Sequence, residues 1–84
     1  MKRRSYAIDL KGVRALRDLH RRLAEALPVP EGYGGNFDAL HDFLTEYGTS
    51  MKITFSHVSA GFRTFRRVCA DAMAETPGLE IAFV

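Results

Sequence analysis

Glu31-Gly-Tyr-Gly-Gly-Asn36, running into Phe37-Asp-Ala-Leu-His-Asp-Phe-Leu-Thr-Glu-Tyr47, is the stretch from which the rest of this 84-residue chain can be read. The glycines make a loop, and Asn36 stands where a side-chain oxygen caps a following helix. On a helical wheel Phe37, Leu40, Phe43, Leu44 and Tyr47 share an arc of roughly 120°. His41, Thr45, Asp38, Asp42 and Glu46 fill the arc beside it, and Gly48 fits the C-terminal stop. Asp38, Asp42 and Glu46 come at spacing four with no Lys or Arg to pair with, an arrangement that costs helix stability. The positive end of the helix alone could explain Asp38, and Asp42 and Glu46 could be a solvated face, but neither reading explains three acids at spacing four without a base.

Toward the N-terminus, Pro28 and Pro30 leave a stiff extended link and end an earlier helix, expected from about Arg14 to Leu27. Leu16, Leu19, Leu23 and Leu27 form its apolar stripe, Arg14, Arg17, Arg21 and Glu25 share the opposite face, and His20 sits at the stripe's edge. Before it, Lys11-Gly12 turns the chain, and Ser5 to Leu10 alternates as a strand with Tyr6, Ile8 and Leu10 on one side. Toward the C-terminus, Met51 to Phe55 alternates as a second strand. Ser59 or a neighbour is placed to cap a helix through Glu75, with Phe62, Phe65, Val68, Cys69, Ala72 and Met73 on one stripe. Thr76-Pro77-Gly78 breaks that helix. Leu79 to Val84 is more continuously apolar, which places it at the sheet's centre. The order β-α-α-β-α-β predicts one α/β domain over residues 1–84, a three-stranded parallel sheet with helices packed against it.

Composition narrows the function. The 46% apolar content suits a folded domain, and no apolar run nears the roughly 20 residues a bilayer span needs. Met1-Lys2-Arg3-Arg4 opens like a secretory signal, but Asp9 and Lys11 interrupt the apolar run such a signal needs, so a cytoplasmic location is expected. A single cysteine, Cys69, permits no internal disulfide and no cysteine metal cluster, and its apolar neighbours suggest a buried, inert thiol. Gly32-Tyr-Gly-Gly35 lacks both the preceding strand and the lysine of a phosphate-binding loop. Adjacent helix residues point about 100° apart, so His41 and Asp42 make a poor acid-base pair, and His20 and His57 show no metal spacing with them. No enzyme, metal or cofactor is expected. Charge is the stronger signal. Between Leu23 and Met51 lie Glu25, Glu31, Asp38, Asp42 and Glu46 without one Lys or Arg, so this segment carries −5 and the remainder +7, within an overall +2. Such segregation points to an acidic surface for a positively charged partner. The competing reading is RNA binding through Arg3, Arg4, Arg14, Arg17, Arg21, Arg63 and Arg67, but no aromatic platform is interleaved with those bases.

Leu19-His20, Leu23, Leu27 through Pro30-Glu31 and, above all, Tyr33-Gly-Gly-Asn-Phe-Asp-Ala-Leu-His-Asp-Phe-Leu-Thr45 resemble the barstar family, small intracellular inhibitors of barnase-type ribonucleases. The resemblance implies an inhibitory face at residues 32–46 that plugs a basic nuclease active site, its acids standing where RNA phosphates would. It assigns partner contacts to Tyr33, Gly34, Asn36, Phe37, Asp38, His41, Asp42 and Thr45, with Glu46 beside them on the acidic arc and Asp71 as a peripheral acidic contact. Asp42 matches the aspartate that engages the nuclease's catalytic Arg and His groups. The implied partner is a secreted or toxin ribonuclease, with this chain as its immunity protein, monomeric when free and binding neither membrane nor nucleic acid. Two residues depart from the family pattern: Gly32 replaces an aromatic and His41 a tryptophan. Ser56 to Gly61 is also too short for an extra helix found in the best-known member.

Overall fold

In the computed structural model, which describes residues 4–84, the alternating segments become strands β1 (Arg4–Asp9), β2 (Met51–Ser56) and β3 (Glu80–Phe83). Met1, Lys2 and Arg3, including most of the basic start, lie outside the described residues. The strands pair in parallel in the order β1-β2-β3, with Tyr6 beside Ile53 and Ile53 beside Ile81. Parallel neighbours need crossovers. Helices α1 (Leu16–Ala26) and α2 (Phe37–Tyr47) supply the first and α3 (Arg63–Glu75) the second. Right-handed connections that step the same way across the sheet put their helices on one face. Burial agrees: Ile8, Met51, Ile53, Phe55 and Ile81 are buried, whereas Ser5, Ala7, Lys52, Glu80 and Ala82 of the opposite face are exposed.

The central strand is β2, not the last one. Its apolar residues alternate because one face meets the helices, and both of its edges are paired. The run at 79–84 looks continuous because Ala82 and Val84, on the uncovered side, happen to be apolar; Ile81 is buried and Phe83 half-buried. Phe55 joins the layers, meeting Phe65 of α3 edge-on at 5.0 Å and stacking on Phe83 at 5.6 Å. Leu19, Leu23, Leu40, Phe43, Leu44, Cys69 and Ala72 complete this core. At the stripe margins the helical wheels were too generous: Leu16 is 51% and Tyr47 47% exposed.

The helix ends show which local signals mattered. Asn36 caps α2, its side-chain oxygen accepting the Ala39 N–H at 2.8 Å. Ser59 does not cap α3: the helix starts later, after Phe62, without a side-chain cap bond, and the Ser59 hydroxyl instead accepts from Gly61 N–H at 3.4 Å. The preceding segment holds no helix, and His57 turns there at φ 57°. Gly48 ends α2 in a right-handed conformation, and it is small for reasons of space, since a Cβ would run into the Leu44 carbonyl oxygen. Gly78 combines both demands, with φ +86° and the Thr49 carbonyl oxygen standing where a Cβ would go. Among the described residues no helix is long and apolar enough to cross a membrane.

Candidate partner-binding surface

Leu40, Phe43 and Leu44 anchor α2 in the core and thereby fix what its other side presents. Asp38, Asp42 and Glu46 project from it, all exposed. Helix α3 packs beside α2 and brings two more carboxylates, Asp71 and Glu75, to a shallow notch shared with His41 and Ala74. The carboxylates of Asp38, Asp42, Glu46 and Asp71 have no ion-pair partner among the described residues. Glu75 meets the His41 ring, Oε2 lying 2.5 Å from Nε2. Thr45 turns its hydroxyl back into its own helix, donating to the carbonyls of His41 at 3.0 Å and Asp42 at 3.2 Å.

The loop that leads into α2 is braced from below by a residue whose sequence position suggested only the border of α1. His20 is only 5% exposed. Its Nδ1 shares a 2.8 Å hydrogen bond with the Tyr33 hydroxyl, and its ring meets Phe37 edge-on at 5.0 Å. Burial holds the His20 imidazole below its ordinary pKa and pushes the Tyr33 phenol up to about 12, so both favour their neutral forms. Tyr33 and Phe37, both expected at the partner contact, are therefore half-buried and spend part of their surface on His20. In the same loop, Gly32 before Tyr33 and Gly35 after it take positive φ values of 89° and 65°, and the exposed Gly34 sits against the Asn36 amide. The signal that could have found His20 is its spacing, one residue after Leu19 and three before Leu23. That keeps a polar ring near the stripe and opposite two aromatics that flank a glycine loop. Glu75 was also missed, although it lies one turn after Asp71 on the same side of α3.

The remaining candidates are not drawn together. His57 Nδ1, just past β2, pairs at 2.9 Å with Asp9 at the end of β1, an exposed contact. The Asp9 carboxyl is held below the usual range, chiefly by the Lys11 backbone N–H and then by His57. Cys69 is 1% exposed and burial pushes its thiol up to about 12, the opposite of an activated nucleophile. Among the described residues no group of three or more His, Cys, Asp or Glu is placed to hold a metal ion. The His41 ring meets Glu75 on α3.

The domain thus has two layers, one sheet under three helices, and two adjacent helices carry exposed carboxylates that have no ion-pair partner among the described residues. The chain matches the family described as Barstar (barnase inhibitor) over residues 3–78, nearly its whole length, and it belongs to that family. Barstar-family proteins are inhibitors rather than enzymes.

Proposed function

We propose that this chain inhibits a barnase-type ribonuclease by seating the loop at 32–36 and the α2 surface in the enzyme's basic active site. The observation that carries this reading is the exposed set Asp38, Asp42, Glu46 and Asp71, without ion-pair partners among the described residues, in a chain of this family. An enzyme that cleaves RNA gathers Arg, Lys and His around a phosphate, and a carboxylate takes the same bidentate hydrogen bonds from Arg that a phosphate does. Asp42, midway along α2, is assigned the central contact. Asp38 and Glu46 lie one turn to either side, and Asp71 reaches in from α3. Tyr33, Phe37, Gly34 and Asn36 shape the entry, with His41 and Thr45 between the acids. A protein with this task fits the role of an immunity partner that protects the cytoplasm of a cell making a toxic nuclease.

The test is a titration of barnase with this chain while RNA cleavage is followed. Stoichiometric loss of cleavage supports the proposal. Undiminished cleavage overturns inhibition of a barnase-type enzyme. If the chain instead binds fluorescently labelled RNA directly, the loss of cleavage is substrate sequestration and the RNA-binding reading replaces this one.

A further inference from the structure

We infer that His41 makes the acidic surface proton-sensitive, so that its affinity for a cationic partner falls as pH drops through the imidazole range; only the identity of that partner rests on the inhibitor reading. The ring lies in the middle of the surface, and its side chain is 34% exposed, open enough to feel a bound partner. On its own helix Asp38 stands one turn before it, Asp42 next to it and the uncharged Thr45 one turn after. From α3 it is faced by Asp71 and Glu75, with Glu75 Oε2 2.5 Å from Nε2. Arg67 sits one turn before Asp71 on α3 but does not line the notch, so every charged group that does is a carboxylate, apart from His41 itself.

That setting gives the two protonation states opposite effects on recognition. A neutral ring can donate its Nε2 hydrogen to Glu75 and leaves the negative charge of the surface intact. A protonated ring forms an ion pair with Glu75 and places a cation where an arriving guanidinium must approach Asp42 and Asp71. Imidazole side chains change charge between about pH 5 and 8, within the range a cell or its surroundings can reach. A cationic partner favours the neutral ring, so binding in acid must expel a proton. Linkage then requires affinity to fall with pH, by at most about tenfold per unit for one coupled proton.

The experiment compares wild type with His41→Gln, which stays polar but cannot become charged. Each is titrated calorimetrically from pH 7.5 to 5.5, at low salt, with two probes: barnase and a hexa-arginine peptide. The expected result is that wild-type affinity falls several-fold more than that of the variant, with proton release seen as a dependence on buffer ionisation enthalpy. Parallel profiles with both probes overturn the inference. If barnase does not bind but the peptide shows the difference, the inhibitor reading fails and the proton sensitivity stands. If neither probe binds at pH 7.5, the surface does not recognise cations and both proposals fall.

Discussion

Asp42 and His20 show how differently two polar residues of one small domain can be used. Asp42 is exposed and has no ion-pair partner among the described residues, so Asp42→Ala should leave the folding stability within about 0.5 kcal/mol of wild type. Its loss should nevertheless strip a charged hydrogen-bond partner from the nuclease, costing about 1.5–3 kcal/mol of binding, roughly ten- to more than a hundredfold in affinity. Melting curves beside a binding titration check both halves; a collapsed melt with unchanged affinity of the folded fraction would make Asp42 structural. His20 is the reverse case. Burial lowers its pKa below the ordinary 6.5, so just under that value the unfolded chain takes up a proton that the folded chain refuses. Its contribution is complete above about pH 6.5 and is lost as pH falls from there toward the folded-state pKa. Urea midpoints across pH 7.5 to 5.5 should therefore drop more for wild type than for His20→Gln. Tyr33→Phe removes the only hydrogen bond to the ring's Nδ1 among the described residues, and should cost about 1–3 kcal/mol at neutral pH.

At the scale of elements, α2 was the most legible segment and the ends of α3 and β3 the least. A capping Asn, an apolar arc and a terminal glycine all agreed over residues 36–48, and local agreement of that kind survives tertiary packing. Leu40→Ala tests the anchorage directly: Leu40 is 1% exposed, and large-to-small core changes of this type cost about 2–5 kcal/mol. An unaltered urea midpoint would mean that α2 is not held to the sheet through this residue. The start of α3 misled because Ser59 offers a cap by type, while Phe62 is instead buried at the helix entrance. The position of β3 misled because strand centrality was inferred from apolar continuity, and Ala82 and Val84 add apolar character without burial. In the proposed contact surface, the exposure of Asp38, Asp42 and Glu46 together follows from their spacing of four on one helix. The pairing of His41 with Glu75 was not readable from spacing, because it joins residues 34 positions apart whose meeting depends on how α3 lies against α2.

Over the whole molecule, charge separated along the sequence becomes charge separated in space only where the fold allows it. The α2 acids remain together because one helix carries them, and α3 adds Asp71 and Glu75 at the notch. Bases elsewhere partly spend themselves inside the domain: Arg21 pairs with Asp18 at 2.8 Å, Arg22 donates to the Asp9 carbonyl at 2.7 Å and Arg4 to the Tyr47 carbonyl at 3.0 Å. Only the Arg21–Asp18 pair offsets a charge; the two carbonyl contacts orient Arg22 and Arg4 without cancelling theirs. Association with a basic nuclease should be salt-sensitive, because the screening length shrinks from about 10 Å at 0.1 M salt to about 3 Å at 1 M. Stopped-flow association rates should fall steeply over that range while dissociation changes less; equal rates at both ends would remove steering from the binding mechanism.

Cys69 also gives the domain a built-in reporter. A thiol 1% exposed, in the middle of α3 and kept protonated by burial, cannot meet an aqueous disulfide reagent while α3 stays docked on Phe55 and its neighbours. As the sole cysteine, it makes every labelling event a record of the same opening. When reclosing outruns the reagent, the labelling rate measures the free energy of that opening under native conditions, with no denaturant. A nuclease bound across α2 and α3 should slow the reaction in proportion to its affinity, provided the opening disrupts that surface. The partner's grip could then be read from inside the core, with no label placed on the surface it covers.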